Sequence, residues 1–213
     1  ANHRTTLHGT QLTAEISRMM WNDCYKVSRI EGYPLAWDKR DIDVAVSSWK
    51  THKFGEKWTK ESWKCKLTKA GHIPGAAMLN VETDTHKLLF TGDFDTRDSP
   101  LTSGAKPEKC DILFVEGTYG GRDHPNKQET IEKFVNKIVE ISDRGGTALI
   151  PAFANGRTQD IVMMLHKYLP EMDVHVDGMG KHVARLQLEN PDALRNPEEL
   201  REAWKWCRRV SSC

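Results

Sequence analysis

The sequence has few features of a secreted or membrane-embedded protein. Its cysteines are scattered and none belongs to a CxxC pair; they are Cys24, Cys65, Cys110, Cys207 and Cys213. This pattern disfavours a disulfide framework and a cysteine-ligated zinc knot, and it predicts a reducing, cytoplasmic location. No run approaches the roughly 18 apolar residues that a membrane span needs, and residues 1–10 lack the apolar core of a signal peptide.

The chain also lacks an excess of charge of either sign. Lys and Arg number 31 and Asp and Glu number 30, which leaves a net charge of +1. Total charge therefore gives no reason to expect a nucleic acid or a membrane as partner. One local run differs, because seven lysines and only two glutamates lie between Lys50 and Lys69. It fits a solvated strand edge, which we favour slightly, or a nucleic-acid-binding surface.

The first half of the chain is predicted to be rich in strands. A helix is expected to begin with Thr13 as its cap, because Ile16, Met19, Met20 and Cys24 follow helical spacing. Residues 31–63 are expected to form loops and short elements. The remaining pattern predicts a half-buried strand around Cys65 and Leu67, a hairpin of residues 77–81 and 87–91, and a strand at residues 112–115 buried on both faces.

From Gln128 onward, helices and strands are predicted to alternate. The expected elements are a helix with an apolar stripe from Ile131 to Val139, a buried strand at 147–151, a helix around 161–168, a strand at 174–176, a helix around 183–186 and a helix that begins at Asn196-Pro197. Such alternation predicts a parallel sheet covered by helices. We place a boundary near residues 117–127, which gives domains 1–120 and 121–213.

Three short polar strings follow predicted strands. They are Gly71-His72-Ile73-Pro74-Gly75, Thr91-Gly92-Asp93 and Glu116-Gly117-Thr118. Loops at strand ends commonly carry function, and one His with two carboxylates suits a divalent metal such as zinc or manganese. Each string alone is also typical of an ordinary turn or cap.

In this order and spacing, the strings resemble the metallo-β-lactamase-fold nucleases of the β-CASP branch. That group includes the cleavage and polyadenylation specificity factor endonucleases, their archaeal relatives and RNase J. Residues 149–159 (Leu-Ile-Pro-Ala-Phe-Ala-Asn-Gly-Arg-Thr-Gln) and 176–180 (Val-Asp-Gly-Met-Gly) are similar to the family's β-CASP insert. The resemblance implies an α/β protein: part of a metallo-β-lactamase αββα sandwich followed by the start of a β-CASP parallel α/β domain.

The resemblance implies a metal-dependent phosphodiesterase that cleaves RNA, with DNA as the alternative. His72 would ligate one of two zinc ions (manganese is the alternative) and Asp93 would bridge both, so that a metal-activated hydroxide attacks the phosphate. Glu116 matches a family acid that holds a histidine acting as general acid.

The same resemblance implies where the nucleic acid would bind. Gly156 and Arg157 open a helix whose N-terminus suits a phosphate, and Tyr119 follows the Glu116 string. For Arg157, a surface ion pair with Asp160 is an equally weighted alternative. A homodimer of the intact protein is compatible with the family, and no membrane partner is expected.

Part of the family's pattern is missing. The motif His-x-His-x-Asp-His is absent, and the histidines expected after the insert would fall beyond Cys213. The remaining histidines show no ligand spacing; they are His3, His8, His52, His86, His124, His166, His175 and His182. We therefore interpret the chain as an internal fragment that is inactive alone.

Two other functions stay open beside the nuclease. One is a non-catalytic β-CASP paralogue that binds nucleic acid or acts as a scaffold, and the other is a small-molecule hydrolase of the broader fold. Retention of His72, Asp93 and Glu116 favours the enzyme, because a scaffold has no need of these polar groups. The helical segment from Gln128 disfavours the small-molecule hydrolase. The sequence does not separate endonuclease from 5′-exonuclease action.

Overall fold

The computed structural model describes residues 5–210, so His3 and Cys213 lie outside it. The described elements, in chain order, are β1 (Leu7–Gly9), α1 (Gln11–Glu31), α2 (Lys39–Ser47), β2 (Trp49–Thr51), β3 (Lys57–Lys60), β4 (Trp63–Lys69), β5 (Ala77–Glu82), β6 (Lys87–Phe90), β7 (Ile112–Phe114), α3 (Lys127–Asp143), α4 (Arg157–Tyr168), β8 (His175–Val176), α5 (Gly180–Glu189), a 3₁₀ turn (Pro191–Ala193), α6 (Pro197–Trp206) and β9 (Arg208–Arg209). No helix in this range is both long and apolar enough to cross a membrane.

The central sheet has five strands in the order β3-β4-β5-β6-β7. Its pairs are antiparallel except β6–β7, which is parallel. The hairpin predicted from residues 77–91 is confirmed as β5 and β6, with Leu79 opposite Phe90. Two smaller parallel pairs, β1–β2 and β8–β9, lie outside this sheet.

Alternation along the strands gives the sheet two apolar faces. Cys65 and Val81 are opposite each other and both are buried, as the predicted strand around Cys65 requires. Met78 and Leu89 belong to the other face and pack with Ala70 and Ala105. The loop that follows β6 therefore covers this second face.

Strand β7 does not match its prediction. Residues 112–115 were expected to be buried on both faces, but their side chains are 40–53% exposed. The physical reason is position, because β7 is the edge strand and pairs only with β6. Phe90 and Phe114 stack across that pair with ring centroids 4.4 Å apart.

The helices of the second half form their own core. Val162 and Met163 of α4 pack with Leu200 and Trp204 of α6, together with Leu101 from the loop after β6. The helices predicted around 161–168, around 183–186 and from Asn196-Pro197 are confirmed as α4, α5 and α6.

A second cluster joins residues from distant parts of the chain. Leu12 and Ile16 of α1 pack against Val183 of α5 and Ala193. Both clusters therefore contain residues from either side of the boundary placed near residue 120, which stays a prediction.

The predicted strand at residues 147–151 is wrong, because the structure has no strand there and Leu149 is 93% exposed. A strand forms only where a neighbour satisfies its backbone groups, and none of the described strands pairs with this segment. The helix that precedes it, α3, is confirmed, yet none of its residues is fully buried. In this half, the expected parallel sheet is reduced within the described residues to the short β8–β9 pair.

One N-terminal detail differs from expectation. Helix α1 begins at Gln11, because the hydroxyl of Thr10, and not that of Thr13, caps it by accepting a hydrogen bond from the Thr13 N–H at 3.2 Å. The short elements expected in residues 31–63 are confirmed as α2, β2 and β3, and α2 is stabilised by a reciprocal cap between Asp38 and Asp41.

Candidate active site at the strand ends

The turn that carries His72 is held by the start of α1. Gly75 has a φ of +87°, which favours glycine. Its carbonyl accepts hydrogen bonds from the hydroxyls of Thr10 and Thr13, each at 3.0 Å. The N-terminus of α1 therefore fixes the end of the His72 turn.

The beginning of the turn is fixed by close packing at Gly71. Its φ is +74°, and a Cβ at this position would lie 2.2 Å from the carbonyl oxygen of Asp95 and 2.7 Å from the amide nitrogen of Ala105. The Asp95 N–H also donates to the Ala70 carbonyl at 2.9 Å. The loop that follows Asp93 is thus joined directly to the His72 turn, with no room for a side chain between them.

We expect Gly71→Ala to destabilise the chain by about 3 kcal/mol or more, since left-handed strain and a backbone clash add together. Gly121→Ala is the matched control, because Gly121 has a φ of +76° but no atom within 4 Å of the place where a Cβ would lie. Strain alone should cost the control about 1 kcal/mol. Chemical denaturation of both variants measures the difference, and equal losses would contradict the packing argument.

His72 and Asp93 face each other at the strand ends. The His72 Nε2 atom lies 3.9 Å from the Asp93 Oδ2 atom, and the side chains are 47% and 74% exposed. Both groups are therefore open to solvent and close enough to contact one common ligand.

Glu116 lies beside this pair. Its Oε2 accepts a hydrogen bond from the Thr118 N–H at 2.7 Å, and its own N–H donates to the Thr91 hydroxyl at 3.4 Å. Hydrogen bonds from Thr118 lower the pKa of Glu116 most, and a backbone hydrogen bond from Phe94 and the charge of His72 add to this. The structure thus gathers the three sequence-predicted acid–base groups in one region, with Glu116 held as a carboxylate.

These residues do not by themselves fit a metal centre. Zinc sites in proteins take three or four protein ligands. Within residues 5–210, no group of three or more His, Cys, Asp or Glu side chains is placed to hold a metal ion. His72 and Asp93 are thus two donors of an incomplete set.

Helix α4 begins against the same turn. Gly156 caps it with a φ of +88°, and a Cβ there would lie 2.7 Å from the Cγ2 atom of Ile73. The Gly156 N–H already donates to the Gln159 side chain at 2.9 Å, and the Thr158 N–H donates to the Phe153 carbonyl at 3.1 Å. Part of the helix terminus that was expected to bind a phosphate is therefore occupied by the protein itself.

The Arg157 side chain, by contrast, is available. It is exposed, and the alternative ion pair with Asp160 is not formed among the described residues. Burial raises the pKa of Asp160, while the charges of Arg157 and Lys127 oppose that rise. Arg157 thus projects a cation from the helix that packs on the His72 turn.

The other predicted contact residue lies in the turn after Glu116. Tyr119 is 57% exposed, and its ring centroid is 4.3 Å from that of His124. Its role toward a nucleic acid stays a prediction.

Sequence reasoning missed a cleft of about 310 Å³ next to the His72 turn. Thr13 and Ser17 of α1, Ile73 and Pro74 of the turn, and Asn155 are among its lining residues. The Gln187 side chain holds Asn155 with a hydrogen bond of 3.0 Å. No local pattern could have predicted a cleft whose walls come from three distant segments.

Comparison with known proteins finds relatives that match most of this chain. The chain is 32% identical to the probable RNase MJ4 of Methanocaldococcus jannaschii over 92% of this chain and 47% of that protein. It is 29% identical to RNase aCSPSF2 of Saccharolobus solfataricus over 94% of this chain and 41% of the relative. It is 33% identical to the cleavage and polyadenylation specificity factor subunit 3 of Dictyostelium discoideum over 75% of this chain and 21% of that protein. The chain thus spans less than half the length of these relatives, and no protein-family model matches it.

Proposed function

From the premise that this chain belongs to the β-CASP branch of the metallo-β-lactamase-fold nucleases, we propose that it is part of a phosphodiesterase that hydrolyses single-stranded RNA. The observation that carries the proposal is the convergence of His72, Asp93 and Glu116 at the ends of β4, β6 and β7. Three strand ends that present one imidazole and two carboxylates to the same exposed region suit hydrolysis better than a purely structural role.

We assign the roles as follows. His72 and Asp93 would each supply one donor to a centre of two zinc or manganese ions, and further ligands would be needed to complete it. Glu116 orients a histidine, and this histidine protonates the leaving oxygen. An ionised carboxylate is suited to hold a histidine in its protonated form. Arg157 contacts a phosphate of the strand next to the His72 turn, because it is exposed and unpaired among the described residues.

Cleavage of an end-labelled single-stranded RNA by a longer protein that supplies the remaining ligands tests this proposal. We expect RNA products and no hydrolysis of β-lactam or thioester substrates. Binding of the RNA without cleavage would instead identify a non-catalytic paralogue. The positions of the products would distinguish internal cleavage from 5′-end degradation.

The 213-residue chain alone is expected to retain fewer than one zinc ion per molecule after dialysis. Two donors hold the metal too weakly to overcome the cost of dehydrating the cation. Elemental analysis measures the content. Two tightly bound zinc ions per chain would show that the ligand set has been assigned wrongly.

A further inference from the structure

Two histidines far from the His72 turn form a hydrogen-bonded, coplanar pair. The His8 Nδ1 and His52 Nε2 atoms are 2.9 Å apart, and the two ring planes differ by 8°. Both rings stack on Trp58, with centroid distances of 5.8 Å for His8 and 3.8 Å for His52. This stack joins β1 to the β3–β4 hairpin.

Strand register places two lysines and a tryptophan around the stack. His8 and Lys50 are partners across β1–β2. Trp58 and Lys60 share one face of β3 because they alternate along the strand, and Lys60 is opposite Trp63 of β4. We call the four residues His8, Lys50, Lys60 and Trp63 the basic aromatic surface.

The positive charge of this surface is not neutralised. Neither Lys50 nor Lys60 has a carboxylate within 4 Å among the described residues, whereas Glu56 faces His52, with 3.7 Å between its Oε1 atom and the His52 Nδ1 atom. Burial lowers the pKa of His8 most, and the charges of His52, Lys50 and Lys60 lower it further. Because a lowered pKa favours the neutral ring of His8, Lys50 and Lys60 carry the positive charge of this surface and would attract an anion.

We propose that the basic aromatic surface binds single-stranded RNA, with Lys50 and Lys60 contacting phosphates and Trp63 stacking on a base. Trp63 is 51% exposed, so a large ring face is open to solvent. Exposed aromatic rings between lysines are the usual means of binding single strands without sequence preference. This surface is separate from the His72 region. The proposal rests on the proposed function only in naming RNA, and not DNA, as the bound single strand.

Protection of sheet edges accounts for only part of this arrangement. It explains Lys60 on β3, the edge of the five-stranded sheet, and Lys50 on β2, an edge of the two-stranded sheet. It gives no reason for the exposed ring of Trp63 beside these lysines. The surface is linked to the candidate active site, because β1 leads directly into Thr10, whose hydroxyl holds the His72 turn through Gly75.

The hairpin supplies its own matched control. Lys64 and Lys66 are on the opposite face from Lys60, and they pair with Glu82 at 3.5 Å and with Glu108 at 2.6 Å. The double variants Lys50→Gln/Lys60→Gln and Lys64→Gln/Lys66→Gln therefore make the same change in net charge. Only the first double variant removes cations from the basic aromatic surface, where the RNA is proposed to bind.

Fluorescence anisotropy of a labelled single-stranded oligoribonucleotide with the 213-residue chain measures the effect. We expect the first double variant to weaken binding about tenfold, and the slope of log K against log salt to fall by about 0.7 per lost phosphate contact. The control should change affinity less than about twofold. Trp63→Ala should weaken binding about tenfold as well, and Trp63→Phe should restore most of it.

Three results would overturn the proposal. They are no measurable binding by the intact chain, equal losses in the two double variants, and displacement of the RNA by polyglutamate as readily as by unlabelled RNA. The far-ultraviolet circular dichroism of each variant verifies folding. None of these measurements involves cleavage, so any of these three results would refute the RNA-binding surface without contradicting the proposed phosphodiesterase activity.

Discussion

Asp93→Asn is expected to abolish RNA cleavage in a longer protein that supplies the remaining ligands, with a fall of at least about 10³-fold. The asparagine amide is neutral, so it removes the negative charge that faces His72 at 3.9 Å and the carboxylate donor that we propose for the metal centre. Charge stabilisation at such a position is worth several kcal/mol, and each 1.4 kcal/mol corresponds to a factor of ten in rate. The rate of cleavage of labelled RNA measures the loss.

Asp84→Asn is the control for this change. Asp84 is an exposed carboxylate in the turn between β5 and β6, and it makes no ion pair among the described residues. Its replacement alters the net charge equally and should leave cleavage within about twofold of the unmodified protein. Cleavage by the Asp93 variant at the unmodified rate would refute the role of Asp93.

Glu116→Gln is expected to lower turnover by about 10²–10⁴-fold while the metal content stays near that of the unmodified protein. The amide oxygen of the introduced glutamine would still accept the Thr118 N–H, so the turn is retained. The amide carries no charge, however, and no longer favours the protonated form of a neighbouring histidine. This loss should fall on turnover and not on binding of RNA.

Elemental analysis separates this role from direct ligation. If metal is lost in parallel with activity, Glu116 is a ligand and its assignment as an orienting group is wrong. If turnover is unchanged, another group supports the proton donor.

The sequence predicted elements wherever the pattern is local. Alternation in residues 77–91 identified the β5–β6 hairpin, and the pair Asn196-Pro197 marked the start of α6. The strings around His72, Asp93 and Glu116 were found because each follows a strand directly. Short-range signals of this kind depend only on neighbouring residues.

Features that depend on distant partners were not predictable. The apolar run at residues 112–115 has the composition of a buried strand, yet its burial depends on what covers β7. The segment 147–151 lacks a pairing partner among the described strands, so its strand-like composition has no effect. The cap at Thr10 is likewise decided by a second contact, with Gly75, 65 residues away in the sequence.

A double-mutant cycle on RNA cleavage tests most directly whether His72 and Glu116 belong to one site. His72 lies close enough to Glu116 for the two side chains to interact electrostatically. If both act on the same reaction as a unit, the variant that combines His72→Ala with Glu116→Gln should lose little more activity than the more damaging single variant. A combined loss equal to the product of the two single losses would show that the residues act independently and would contradict the site described here.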